Sequence, residues 1–227
     1  MRRCVAEFIG TFFLCFAGIA TILSIQPPTS SGVGLLGVAL AHGLAISIAV
    51  SVFGGVSGAH FNPAVTCGML ATGRIQAPMA VAYIVSQCLA SMLAAFLCTI
   101  IFVPEAVTSA NLGIPLPSTE MPTSTIILVE SILTFLLVTA IFGTAVDERG
   151  KAVKIGGFAI GLTVTIDILA GGAITGASMN PARSFGPALL QNDFNLHWCY
   201  WVGPILGGVV AALIYQHVIL EKNDDGS

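Results

Sequence analysis

Apolar residues run almost unbroken through six stretches of the chain, approximately Val5–Ile25, Val33–Phe53, Ala80–Val103, Thr125–Ala145, Ile155–Ile174 and Trp198–Leu220. Each supplies the roughly 20 apolar residues a helix needs to cross a bilayer core, so the pattern predicts six transmembrane helices. The first stretch follows Arg2 and Arg3 as the core of a signal peptide would. It is long, however, carries Glu7 and has no clear small-residue cleavage site, so it reads as a span. Between the third and fourth spans, residues 104–124 (PEAVTSANLGIPLPSTEMPTS) are rich in Pro, Ser and Thr and read as a loop.

Composition agrees with a bilayer rather than water. Of 227 residues, 56% are hydrophobic and only 8% charged, where a soluble domain carries about a quarter. A net charge of −3 without a basic cluster excludes nucleic acid as a partner. Lys and Arg set orientation through the short loops. With an even number of spans, Arg2, Arg3, Arg74, Arg149, Lys151, Lys154 and Lys222 share one side and only Arg183 lies elsewhere. Both termini are therefore expected in the cytoplasm, with 104–124 outside.

The six cysteines (Cys4, Cys15, Cys67, Cys88, Cys98 and Cys199) form no CxxC or Cys/His spacing, which indicates neither metal nor disulfide chemistry. No nucleophile–base pair or phosphate loop is present, so no enzyme and no cofactor are expected.

The chain contains its own copy. The shift that lays GAHFNPAVT (58–66) on GASMNPARS (176–184) also lays HGLAISI (42–48) on IGLTVTI (160–166), and AEFIGTF (6–12) matches VESILTF (129–135) as Glu, three residues, Thr-Phe. Repeat one covers about 5–103, the linker 104–124, repeat two about 125–220, with a polar tail at 221–227. Three spans per repeat is an odd number, so the second copy is inverted, an arrangement that puts solute sites near the midplane where broken helices meet.

After each Asn-Pro-Ala comes an apolar stretch too short to span, AVTCGML or ARSFGPALL. Asn caps a helix start well, and Pro at the first helical position loses no hydrogen bond. Asn62 and Asn180 are therefore expected to cap two re-entrant half-helices. Such backbone survives in a membrane only where protein buries it or water bathes it. Two N-termini meeting at the centre, each worth about half a positive charge, make that point electropositive.

These residues resemble the aquaporin, or major intrinsic protein, family across essentially the whole chain: six spans, two Asn-Pro-Ala half-helices, the paired Glu-x-x-x-Thr-Phe and NPARSFGPA. The resemblance implies an all-α integral membrane fold of six transmembrane helices plus two re-entrant half-helices, assembled as a homotetramer with one pore per subunit. Asn62 and Asn180 would donate hydrogen bonds to a permeating water, and protons and ions would be refused.

By the same resemblance His42, Ile168, Ala177 and Arg183 occupy the outer filter. His42 stands where strict water channels of the family usually carry Phe, and Ile168 where they carry His. The filter is similar to that of the plant tonoplast intrinsic and animal aquaporin-8 branches, which are associated with water plus ammonia and hydrogen peroxide; DILAGG (167–172) and HWCYWVGP (197–204) also look like that branch. A widened filter would leave His42 to accept from ammonia or donate to peroxide. Two departures are visible: 104–124 lacks the His that the tonoplast branch can add to the filter, and Ser178 stands where aquaporin-8 carries Cys. Glycerol is the alternative permeant. Ser184, Ala188 and Tyr200-Trp201 look water-type, while Ala177 and Ile168 favour a wider pore.

An ion-coupled transporter is the competing class, and it would need intramembrane groups that change charge. Glu7 and Glu130 occupy equivalent places and are expected to satisfy backbone N–H groups of the re-entrant loops. Asp167 has no acidic counterpart in repeat one; it either tunes His42, positions Arg183 or caps the end of the fifth span. His60 is expected to line the cytoplasmic half of the pore or to pack within its loop.

Overall fold

The computed structural model of the protein describes residues 1–220; the tail 221–227 and Lys222 lie outside them. Six helices are long and apolar enough to cross a membrane among these residues. They are α1 (Arg2–Ser24), α2 (Gly34–Ser57), α4 (Ala77–Ile101), α6 (Thr123–Ile141), α8 (Gly156–Thr175) and α10 (Cys199–Ile214), with α6 and α10 each prolonged by a π-helical turn, Phe142–Val146 and Tyr215–Ile219. Boundaries fall within a few residues of the apolar pattern. The linker is more ordered than its composition suggests, since it holds α5 (Pro104–Ser109) and a 3-10 turn at Asn111–Gly113.

Two further helices are short: α3 (Pro63–Ala71) and α9 (Pro181–Gln191). At about 1.5 Å per residue each reaches only about half of a bilayer core. A one-turn helix, α7 (Glu148–Lys151), lies in the connection between α6 and α8.

Packing exchanges parts between the repeats. The half-helix α3 packs on α10 and α9 packs on α4, so each half-helix leans on the last span of the other repeat. Helices α2 and α8 cross at the pseudo-two-fold, where a Cβ on Gly43 or Gly161 would strike the opposite backbone or hydroxyl. Small residues permit such contacts, which replace the hydrophobic drive that lipid removes. The outward faces remain apolar, as Leu40, Leu44, Ile48 and Val52 show along α2.

Candidate functional site: a bore and its vestibule

Each re-entrant loop begins where a long helix ends on a left-handed glycine, Gly58 (φ 88°) after α2 and Gly176 (φ 85°) after α8. Beyond these glycines Ala59, Phe61, Ala177 and Met179 also hold positive φ, between 44° and 52°. L-residues resist that region, and it persists only where surroundings over-determine it. The buried glutamates do this. Glu7 accepts from Ser57 Oγ (2.6 Å), His60 N (3.0 Å), Phe61 N (2.7 Å) and Gln87 Nε2 (2.8 Å). Glu130 accepts from Thr175 Oγ1 (2.7 Å), Ser178 N (3.0 Å) and Met179 N (2.8 Å).

The loops are tied to one another at the half-helix caps. Asn62 Oδ1 accepts from Ala64 N, and its Nδ2 donates to Met179 O at 2.8 Å; Asn180 Oδ1 accepts from Ala182 N and Arg183 N, and its Nδ2 donates to Phe61 O at 2.9 Å. An amide nitrogen carries two hydrogens, so each asparagine keeps one for the lumen, where both side chains stand.

Two cavities meet along the axis. The inner bore leaves about 30 Å³ for the centres of water molecules, a short single file at about 10–15 Å³ per water. The wider vestibule, walled by linker residues such as Asn111 and Ile114, leaves about 640 Å³. Only four described residues line both: His42, Ile168, Ala177 and Arg183. The junction of bore and vestibule is therefore lined by these four residues, on α2, α8, the second loop and α9.

Arg183 is 4% exposed and donates from Nη1 to Gly113 O at 2.6 Å. The linker thus aims the guanidinium, and sequence gave no warning of it because a backbone carbonyl has no side-chain signature. His42 Nδ1 lies 2.8 Å from Val38 O. A carbonyl can only accept, so Nδ1 carries the proton and Nε2 of the neutral ring is an acceptor. Of the two roles open to His42 in the sequence, accepting or donating, this tautomer gives the neutral ring the acceptor role, so a permeant meeting it donates to it.

His60 lines the inner bore, Nδ1 resting 3.1 Å from Thr66 Oγ1 and its ring edge-on to Tyr83. Thr66 gives its hydrogen to Asn62 O, so His60 Nδ1 donates here and Nε2 is again an acceptor. Tyr83, which carried no sequence signal, and Tyr200, noted above only as a water-type residue, donate to Ser57 O and Thr175 O, each at 2.7 Å, steadying the glycine corners.

Asp167 departs from its expected roles. It is 1% exposed, neither carboxylate oxygen has a hydrogen-bond partner, and it lines neither cavity. Along α8 the lumen is faced by Ile160, Val164 and Ile168, four residues apart. One residue earlier than Ile168 is turned about 100° away, onto the side where Gly171 meets Leu133 of α6. It therefore hydrogen-bonds neither His42 nor Arg183, and it does not cap α8, which ends two turns later at Thr175.

Residues 1–215 match the family model described as "Major intrinsic protein". Aquaporin TIP4-4 of Zea mays is 41% identical over 98% of this chain and 88% of its own length. Aquaporin TIP2-1 of Arabidopsis thaliana is 40% identical over 99% and 90%. The aquaglyceroporin from Plasmodium falciparum superposes with a TM-score of 0.85 at 24% identity, covering 96% of both chains, which speaks for the fold alone. With the inverted repeat, the paired loops and the axial bore, these likenesses identify a multi-pass integral membrane channel, not an enzyme, that belongs to the major intrinsic protein, or aquaporin, family.

Proposed function

We propose that the protein is a passive channel for water that also conducts ammonia and hydrogen peroxide and refuses protons and cations. The observation that carries this reading is the constriction lined by His42, Ile168, Ala177 and Arg183 at the mouth of a single-file bore. Two aliphatic walls, an imidazole acceptor and a guanidinium donor favour a small neutral solute that both donates and accepts. Water, ammonia and peroxide all meet that description. Cations are opposed by Arg183 and by the two half-helix N-termini, whose aligned peptide dipoles add positive potential where Asn62 and Asn180 face the lumen.

The termini lie on the cytoplasmic side in this reading, which places the vestibule and linker outside. Support comes from the clustering of Lys and Arg in the loops opposite the linker. The functional unit is a homotetramer with a pore in each subunit, by likeness to the family. The exposed apolar stripe along α2 suits burial against lipid or a neighbouring subunit.

Proteoliposomes test the filter directly. Stopped-flow shrinkage after an osmotic jump reads water, and internal alkalinisation in an ammonium gradient reads ammonia. Wild type should exceed bare lipid in both, and His42→Phe should lower ammonia flux about tenfold while retaining water flux. Wild-type ammonia flux equal to bare lipid would reduce the protein to a plain water channel.

A further inference from the structure

Helix α1 carries a gap beside the filter. A Cβ placed on Gly18 would overlap His42 Nε2, Cε1 and Cδ2, its three nearest neighbours, all ring atoms of one side chain. The imidazole thus lies flat against the backbone of α1, in space that any other residue at 18 would occupy. On its other side the ring borders the lumen, since His42 lines both bore and vestibule. Its Nδ1 is tethered to Val38 O at 2.8 Å, which limits the ring to small swings.

The second repeat shows the opposite pairing. The shift that carries Glu7 onto Glu130 carries Gly18 onto Ile141, and the shift that carries Asn62 onto Asn180 carries His42 onto Ile160. Both isoleucines line the bore. One repeat therefore combines no side chain with a ring, and the other combines two aliphatic chains of intermediate size. Close-packed interiors trade volume in this manner, because an added methyl has nowhere to go without displacing a neighbour.

We propose that Gly18 sets the aperture of the filter: its missing side chain is the seat that holds the His42 imidazole clear of the lumen. Gly18 is a positioning residue and touches no solute itself. With alanine at 18 the colliding atoms belong to a side chain rather than to a backbone, so the ring yields before the helices do. The open space available to it is the single-file constriction. The inference rests on His42, Ile168, Ala177 and Arg183 being the filter.

Osmotic-jump water permeability of the full-length protein in proteoliposomes, normalised to reconstituted protein, tests it with Gly18→Ala, His42→Ala and the double variant. Gly18→Ala should lose about tenfold of the water flux, as a single-file passage does when a ring intrudes. The double variant, which carries the same alanine but no ring to displace, should return to the level of His42→Ala alone. Gly18→Ala conducting as wild type overturns the proposal. So does a double variant as slow as Gly18→Ala, or failure of both alanine-18 proteins to fold, since either makes Gly18 a support of the helix rather than a seat for the ring. Wild-type water flux at the bare-lipid level is a separate result: it removes the channel function itself and is read before any variant.

Discussion

In the first repeat Glu7 gathers four donors, two from the loop backbone and two from Ser57 and Gln87; in the second, Glu130 gathers two from the loop backbone and one from Thr175. Around them Tyr83 and Tyr200 close the glycine corners with equal bonds, and each asparagine reaches across to the other loop. The support of the backbone is thus nearly two-fold symmetric. The side chains presented to the solute are not. The first loop offers His60 among Thr66 and Gln87, whereas the second offers Ala177 and Arg183, steered by a linker with no copy elsewhere in the chain. The backbone needs the same support on both sides of the midplane, whereas the side chains that line the lumen differ between the two loops.

The sharpest way to break the comparison is to remove each glutamate. Glu130→Ala leaves two buried N–H groups and a hydroxyl without an acceptor, which at about 1–3 kcal/mol each should cost on the order of 3–9 kcal/mol. Glu7→Ala leaves similar orphans, but Gln87 Oε1 stands nearby with no partner of its own and can turn to accept one of them. Its loss should therefore be smaller by about 1–2 kcal/mol. Thermal unfolding in detergent compares the two directly, and equal losses would show that Gln87 is no reserve.

The caps give a smaller contrast. Asn180 Oδ1 takes two N–H groups and Asn62 Oδ1 takes one, while the cross-loop bonds are alike. Alanine at 180 should then destabilise by about 1 kcal/mol more than alanine at 62. The same unfolding measurement decides it, and a larger loss at 62 would reverse the assignment of the stronger cap.

This unevenness explains what was legible in the sequence. Spans, half-helices and the inverted repeat follow from local rules, apolar length and Asn-Pro capping, and these are written in residue types. The four constriction residues were reached by resemblance and stand together in the structure. What sequence did not show depends on three-dimensional adjacency: Gly113 matters through a carbonyl, and Gly18 through a side chain it lacks. Asp167 stands apart from the constriction for a related reason. Adjacency to Ile168 in the chain suggested shared work, yet on a helix neighbours diverge by about 100° and only every third or fourth residue shares a face.

The smallest expected effect lies at the turns that follow the first helix of each repeat. After α1 the chain turns through residues 25–33 without a single charged side chain. After α6 it turns through Asp147, whose carboxylate caps α7, pairs with Arg149 at 2.6 Å and accepts from Tyr215 Oη at 3.2 Å, while Arg149 also reaches Ile219 O. The Arg149 guanidinium holds the Asp147 carboxyl down from 3.8 to about 2. A depressed carboxyl contributes stability that is complete above its unfolded value and fades as pH falls through its folded one. Wild type should therefore lose thermal stability between about pH 4 and about pH 2 in a component that Asp147→Asn lacks. If the variant and wild type descend in parallel through that window, the clasp contributes nothing, and the two turns are equivalent despite their different charges.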